Sequence, residues 1–461
     1  MKRITVIGFI FAGMLFAQPT KVWERIYGEN DNSVAPLWTS VTCDNQGNIY
    51  LLLDEPLRIV KYTEDGDEVW AKELKTGNYE SGKDIFYYDG YIYVSGYTKD
   101  TTQTSSNNDM RVVKYDLDGN IVWKKSYDLG YDSEEYGFGI YVKNGYIYVT
   151  GQLHISVDDS RLILFKLSAS NGDEVWVDKF HPIDSYCWGE DVIVDDEGNI
   201  FITGTYMDAN NSADLLVLKY SNDGDRDWVS YTDVSEDDKG TGITLLNNFL
   251  YISGYTKTKA IIVKYDKNGN EQDGKLYLGE DDWFSSIASE NGALCVIGAK
   301  SNSSDYDIYL AKLDENINVI WQKIYDGGMN DEGEKIVVKG NEIYVSGVSE
   351  INYLNYKPIL IKYKEDLGIK EKEEFTVLNI VHNKGSYFIE YNVKNLKDVR
   401  LSIYDINGRR LTDLSSSIKS HTGIVNWNGT DVNGNRVPAG VYFVELKDGN
   451  KILRGKAFIV R

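Results

Sequence analysis

The stretch from Tyr91 to Tyr127, YIYVSGYTKDTTQTSSNNDMRVVKYDLDGNIVWKKSY, decides the fold. It holds two apolar strands separated by a long polar loop, then a tight Asp-Gly-Asn turn and a strand carrying Trp123. Outward from it in both directions the pattern returns. Trp23, Trp70, Trp123, Trp176, Trp228 and Trp321 occupy equivalent places, with Asp273 in the slot between the last two, at spacings of 45 to 53 residues. Repeats of that length, each built from four short strands A to D, predict a β-propeller.

Three columns run through the repeats. Strand B carries Tyr50, Tyr93, Tyr148, Phe201, Tyr251, Cys295 and Tyr344, and three residues later Gly96, Gly151, Gly204, Gly254, Gly298 and Gly347, with Leu53 as the exception. Glycine inside a strand marks a bulge or a close backbone approach. Strand C ends in Lys61, Lys114, Lys166, Lys219, Lys264, Lys312 or Lys362, read as packing and pairing between neighbouring blades rather than as a ligand. Strand D brings the tryptophan after a turn such as Asp116-Leu-Asp-Gly119-Asn120. Glycine stands fourth there and not sixth, which is wrong for a calcium loop, and an Asx/Gly hairpin accounts for the residues.

The last repeat has strands A, B and C but no tryptophan strand, whereas Lys21–Tyr27 (KVWERIY) is a D strand with nothing before it. Pairing the two closes a seven-bladed ring and removes the open edge. The expected fold is therefore all-β: a seven-bladed β-propeller over residues 18–364, closed by an N-terminal strand. After it come a charged linker over 365–374 and a β-sandwich over 375–461, where turns at Asn407-Gly408, Asn433-Gly434 and Asp448-Gly449 separate short alternating runs.

Composition bounds the function. The first 17 residues, MKRITVIGFIFAGMLFA, read as a secretory signal peptide, too short in their apolar part to span a membrane. Cys43, Cys187 and Cys295 sit at strand positions that other repeats fill with apolar residues, so they read as small buried hydrophobes. The formal net charge is −22, while residues 369–461 hold 15 basic and 10 acidic side chains, so the excess acid lies in the repeats. Such a body repels phosphate backbones, and nucleic acid is not an expected partner.

The A–B and C–D connections are tight turns, while the B–C and D–A loops are long, variable and emerge on one face. Variable loops on a rigid scaffold carry recognition. The candidate binding residues on this face are Trp38, Asp132, Glu134, Tyr136, Trp188, Asp281, Asp282, Trp283, Asp331 and Glu332. Acids beside aromatic platforms suit a glycan or protein ligand; no cofactor and no bound metal are expected, and calcium is the one ion such loops would suit. His154, His181, His382 and His421 have no metal-ligand spacing, and no nucleophile motif stands out. The expectation is a monomeric, non-catalytic binding protein. The alternative is an extracellular polysaccharide hydrolase or lyase using loop carboxylates, for which the sign is an acidic pair of perturbed acidity in a deep, aromatic-walled funnel.

Two resemblances add to this. The repeat pattern D…GNIYVTG…KYD..GN..W is similar to SBBP-type bacterial propeller repeats, which implies the fold and little about function. Leu401–Leu411 (LSIYDINGRRL), Trp427-x-Gly429-x-Asp431-x-x-Gly434, Pro438-x-Gly440-x-Tyr442 and the ending KAFIVR resemble the type IX secretion C-terminal sorting domain, which is itself similar to the hook-capping Ig-like fold. By that resemblance the motif residues are Asp405, Gly408, Trp427, Asp431, Gly434, Gly440 and Tyr442, the partner is an outer-membrane secretion translocon, and the destination is the outer cell surface or the medium.

Overall fold

Strand-forming residues of period two dominate, and among the described residues the chain answers with strands alone apart from one short 3-10 turn at Ser415–Ser417. The computed structural model describes residues 18–28, 38–99, 107–130, 133–156, 159–182, 185–208, 210, 212–235, 237–302, 304–353, 355–365, 377–383, 386–393, 396, 399–448 and 451–459. The expected signal peptide, Asp132 and all of the expected linker except Glu365 lie outside them. The chain divides into two compact units, Met1–Asp366 and Leu367–Arg461.

In the first unit each repeat forms a four-stranded antiparallel sheet in the order A-B-C-D, as in Tyr79–Tyr88, Tyr91–Lys99, Asn108–Asp116 and Ile121–Tyr127. The A strands, in chain order, are Thr39–Cys43 (first sheet), Tyr79–Tyr88 (second), Glu134–Lys143 (third), Tyr186–Val194 (fourth), Lys239–Leu246 (fifth), Trp283–Glu290 (sixth) and Asp331–Lys339 (last). Each A strand packs against the next, and Asp331–Lys339 packs back on Thr39–Cys43. One parallel bridge, Ser160 to Tyr186, also links the third and fourth sheets. The last sheet takes its outer strand from the N-terminus: Thr20–Ile26 pairs with Asn355–Lys364, Trp23 opposite Lys362 and Ile26 opposite Ile359. The apolar core lies between neighbouring sheets, as where Tyr93, Met110 and Val112 meet Ile140, Val149 and Phe165.

The lysine and tryptophan columns join one sheet to the next. Lys61, Lys114, Lys166, Lys264 and Lys362 donate to backbone carbonyls of the following C–D turn, at Leu117, Ala169, Asn222, Glu315 and Glu64, over 2.8–3.1 Å. The last of these runs from the end of the unit to its beginning. Lys219 departs from the pattern and pairs with Asp227 of its own sheet at 2.8 Å. Beside these contacts the indoles of Trp23, Trp70, Trp123, Trp176 and Trp228 lie against Gly66, Gly119, Gly172, Gly224 and Gly269, where an added Cβ would come within 2.8–3.1 Å of the ring. All five glycines also have positive φ.

Where the tryptophan is missing, at Asp273, the facing turn has lost its glycine too: Ile317 stands there, buried, at φ +65°. Where the turn is missing, Glu365 replaces it and takes the Trp321 Nε1–H at 2.9 Å and Lys312 Nζ at 2.6 Å. The three cysteines are free thiols, and burial pushes Cys187 and Cys295 up to about 12.

In the second unit, Val377–Asn383, Ser386–Asn392 and Thr422–Trp427 form one antiparallel sheet. Arg410–Asp413, Val399–Tyr404, Gly440–Asp448 and Lys451–Ile459 form the other. Ile389, Leu401, Ile403, Trp427 and Val444 share one buried cluster. Arg410–Asp413 has a single apolar residue, Leu411, and so no alternation by which to be read in advance.

Candidate functional site

The site begins with the strand-B glycines. At Gly96, Gly151, Gly204, Gly254, Gly298 and Gly347 a Cβ would lie 1.8–2.1 Å from a backbone oxygen of strand A. No side chain fits there, and strand A uses the room to insert one residue. The pairing register shifts between Gly82 and Asp84, Gly137 and Gly139, Gly189 and Asp191, Gly240 and Gly242, Phe284 and Ser286, and Gly333 and Lys335. The inserted residues are Lys83, Phe138, Glu190, Thr241, Ser285 and Glu334. A β-bulge re-aims its side chain, and all six line a single cavity of about 400 Å3.

The first sheet is the control. Leu53 replaces the glycine, Thr39–Cys43 pairs with Ile49–Leu53 without a shift, and Trp38 lines the cavity instead, its Nε1–H on the Lys83 carbonyl at 3.2 Å.

A charged layer lies below. Lys335 Nζ stands 3.1 Å from Asp84 Oδ2 and 3.9 Å from Asp191 Oδ1. Asp84 also accepts from Ser40 Oγ (2.7 Å) and from the N–H groups of Ile85 (3.0 Å) and Ile140 (3.2 Å), and Asp191 from those of Val192 (3.0 Å) and Ile243 (3.1 Å). These three side chains thereby tie most of the A strands together. Asp84 and Lys335 also line a second cavity, of about 580 Å3, shared with Lys143, Asp191, Asp195 and Asp196.

Burial sets the electrostatics. It raises the pKa of Glu334 well above the usual carboxylate range, helped by Glu332 and Asp54 and opposed by Lys83. It raises Glu190 against the opposing Trp188 hydrogen bond (2.6 Å) and Lys239, and it raises Glu332. Burial works against the Lys335 charge, but Asp191 and Asp84 outweigh it and hold the ammonium protonated. Because folding holds the Glu334 proton, stability is full below the ordinary glutamate pKa of about 4.3 and falls as pH rises through the raised value. Glu334→Gln is therefore expected to raise the melting temperature at pH 8 and leave it unchanged at pH 4; an equal shift at both would remove this account.

Of the residues expected on the binding face, Trp38, Trp283 and Glu332 line this cavity, and Trp188 holds Glu190. Asp281, Asp282 and Trp283 line a separate pocket of about 340 Å3 with Tyr255 and Tyr306, and Asp282 is turned inward onto the Ser301 N–H at 2.8 Å. Glu134 and Tyr136 bond each other at 2.7 Å, and Asn108 donates to the tyrosine at 2.8 Å. Asp331 is fully buried between sheets. The bulge residues escaped the reading of the sequence, although the glycine column that creates them did not.

The C-terminal motif residues build hairpins and core. Asp405 and Asp431 each accept two backbone N–H groups of their own turns, completed by Gly408 and Gly434 at positive φ. Trp427 is buried with its Nε1–H on the Thr430 carbonyl at 2.8 Å, and the Tyr442 hydroxyl reaches the Pro438 carbonyl at 2.7 Å. Gly440 opens the strand that follows. Residues 383–461 match the secretion system C-terminal sorting domain family. The sorting domain marks a chain exported through the type IX system to the cell surface or the extracellular space.

No curated protein matches the chain. Among solved structures it is similar to PorZ, a bacterial surface component of the type IX secretion system of Porphyromonas gingivalis, at 12% identity and a TM-score of 0.45 over 93% of this chain and 59% of that one. The chain thus spans less than two thirds of the length of that relative. It is also similar to virginiamycin B lyase from Staphylococcus aureus (13% identity, TM-score 0.50, 74% of this chain and 98% of that one). A protein of unknown function from Dyadobacter fermentans gives 11% identity and a TM-score of 0.50 over 75% and 99%. At such identities the likeness concerns the fold alone, and the chain's own four-stranded sheets, packed A strand to A strand, are β-propeller-like.

Proposed function

We propose that this exported protein is a non-catalytic binding protein of the cell surface: a seven-bladed propeller clasped by its N-terminal strand, delivered by an Ig-like sorting domain. Its ligand is a carbohydrate received in the axial cavity. The observation that carries this reading is the convergence of six bulged inner strands and Trp38 on one cavity. Trp38, Phe138, Tyr255 and Trp283 supply flat apolar faces, while Thr241, Ser285 and carboxyl groups held toward their neutral form donate and accept hydrogen bonds. That combination suits sugar rings, which present apolar faces and hydroxyl edges.

The hydrolase or lyase reading is favoured by the same aromatic-walled cavity and its perturbed acids. Against it, Glu190, Glu332 and Glu334 are all shifted upward, whereas an acid–base pair needs two carboxyls whose acidities are driven apart.

The test is a glycan array with the full mature chain, followed by calorimetry on the hits. Trp283→Ala is expected to weaken binding about tenfold or more, the loss of a stacking contact of about 1.5 kcal/mol. A silent array sinks the carbohydrate reading, and new reducing ends or unsaturated products appearing in a bound glycan favour the enzyme.

A further inference from the structure

Away from the axial cavity, the junctions between sheets hold a second kind of site. Asp307 lies on the C strand Tyr306–Leu313, Asp326 directly follows the D strand Val319–Tyr325, and Asp331 opens the A strand of the next sheet. Each offers an oxygen, and the three oxygens lie within 4.8 Å of one another. The second junction repeats the arrangement at the same places: Asp109 on Asn108–Asp116, Asp128 after Ile121–Tyr127, and Glu135 at the start of Glu134–Lys143, again within 4.8 Å.

Acidic clusters alone are common at surfaces. Here the decisive observation is orphaned oxygen. Asp307, Asp331 and Glu135 are 7%, 0% and 0% exposed, and Asp307 Oδ1, Asp331 Oδ1 and Glu135 Oε2 have no hydrogen-bond partner. Each carboxylate is clamped through its other oxygen: Asp307 Oδ2 by the Asn302 amide at 2.9 Å, Asp331 Oδ2 by the Gly327 N–H, Glu135 Oε1 by the Ser133 hydroxyl at 2.5 Å, with Ser349 also beside Asp331 and the Leu129 backbone beside Glu135. The exposed members are held alike, Asp326 by the Gly328 N–H (2.8 Å) and Asp128 by the Gly130 N–H (2.7 Å), and they leave a route from solvent. Burying a carboxylate oxygen among like charges without a donor costs several kcal/mol per ion.

The fourth-to-fifth junction shows what the protein does when it satisfies such a group itself. There Asp238, 1% exposed and beside Asp214 and Asp233, accepts the N–H groups of Val234 and Ser235 and the Ser235 hydroxyl.

We infer that the two junctions, Asp307–Asp326–Asp331 and Asp109–Asp128–Glu135, are calcium sites that lock a D–A loop between neighbouring sheets. The donors are all hard oxygens, which select calcium or magnesium over softer metals. A calcium–oxygen distance of about 2.4 Å lets one ion reach oxygens that lie within 4.8 Å of one another, and magnesium, which dehydrates reluctantly and takes one or two carboxylates, is the poorer fit to three. Two carboxylates of each set belong to one repeat and the third to the next, so the ion joins sheets as the lysine column does.

The experiment is equilibrium dialysis and thermal unfolding of the full mature chain with calcium, magnesium or chelator. Two calcium ions per chain are expected at about millimolar free calcium, the range of extracellular modules, with a melting temperature raised by calcium and not by magnesium. Asp307→Asn/Asp331→Asn is expected to lose one ion, and Asp109→Asn/Glu135→Gln the other. Asp214→Asn keeps both. In chelator the two double variants are expected to melt no lower than the parent, because they remove repulsion, which separates loss of calcium from loss of fold. Absence of bound calcium in the parent chain, or full retention with all four substitutions, overturns the assignment. Glycan binding can fail without touching this result, and the reverse holds.

Discussion

A chain beginning at Tyr27 is expected to be insoluble or oligomeric, because it lacks the outer strand of the last sheet. Thr20–Ile26 pairs with Lys364 through Ile359, and the strand it covers, NYKPILIKYK, contains Ile359, Leu360 and Ile361 with no exposed surface. Uncovered, that strand becomes a long apolar edge with unpaired backbone groups, the ordinary template for aggregation. The loss also reaches the first sheet. Trp23 Nε1 donates to the Glu64 carbonyl at 3.1 Å, Arg25 Nε to the Gly66 carbonyl at 2.6 Å, and the Trp23 ring lies on Gly66. A milder version, Trp23→Ala, is expected to cost about 2 kcal/mol, below the ~3–5 of a fully buried tryptophan, since Trp23 is half-buried. Sedimentation of the truncated chain and urea unfolding of the point variant check both. A truncated chain that stays monomeric and unfolds at the parent's midpoint would show that the ring does not depend on its clasp.

Gly204→Ala carries the second large effect and joins fold to site. Its Cβ would sit 2.0 Å from the Trp188 carbonyl oxygen, so the strands must part or the bulge must collapse. Overpacking of this kind costs about 1–3 kcal/mol. If the bulge collapses, Glu190 no longer enters the cavity, the Trp188–Glu190 hydrogen bond breaks, and ligand binding falls together with stability. Gly90→Ala is the comparison: Gly90 has positive φ but open space around it, so stability drops while binding persists. Calorimetry against the array-selected glycan, run beside unfolding curves, separates the two variants. Equal affinity in Gly204→Ala and the parent would mean that the bulge does not build the site.

How much of this was readable in advance follows from where the information lies. The glycine, lysine and tryptophan columns repeat because every sheet meets its neighbour in the same way, and repetition is visible in a string of letters. The partners were not visible. That Lys114 reaches Ala169, or that Ile317 occupies the place where Asp273 has left no tryptophan to accommodate, depends on which surface of one repeat faces which turn of the next. The acids assigned to one mouth were read by loop membership alone. Folding sorted them by local hydrogen bonding: Asp331 and Asp282 turned inward, Glu332 toward the axis, and Asp281 into a separate pocket.

The amino-acid sequence by itself determined the strand order, the borrowed outer strand and the export domain, because each rests on short-range alternation, turn chemistry or a contiguous motif. Only the tertiary structure decided which side chains share the axial cavity. Lys83, Phe138, Glu190, Thr241, Ser285 and Glu334 are of five residue types in six repeats and follow no pattern along the chain. They become one cavity because six identical backbone insertions point at a common axis, and an axis exists only once the sheets have assembled around it.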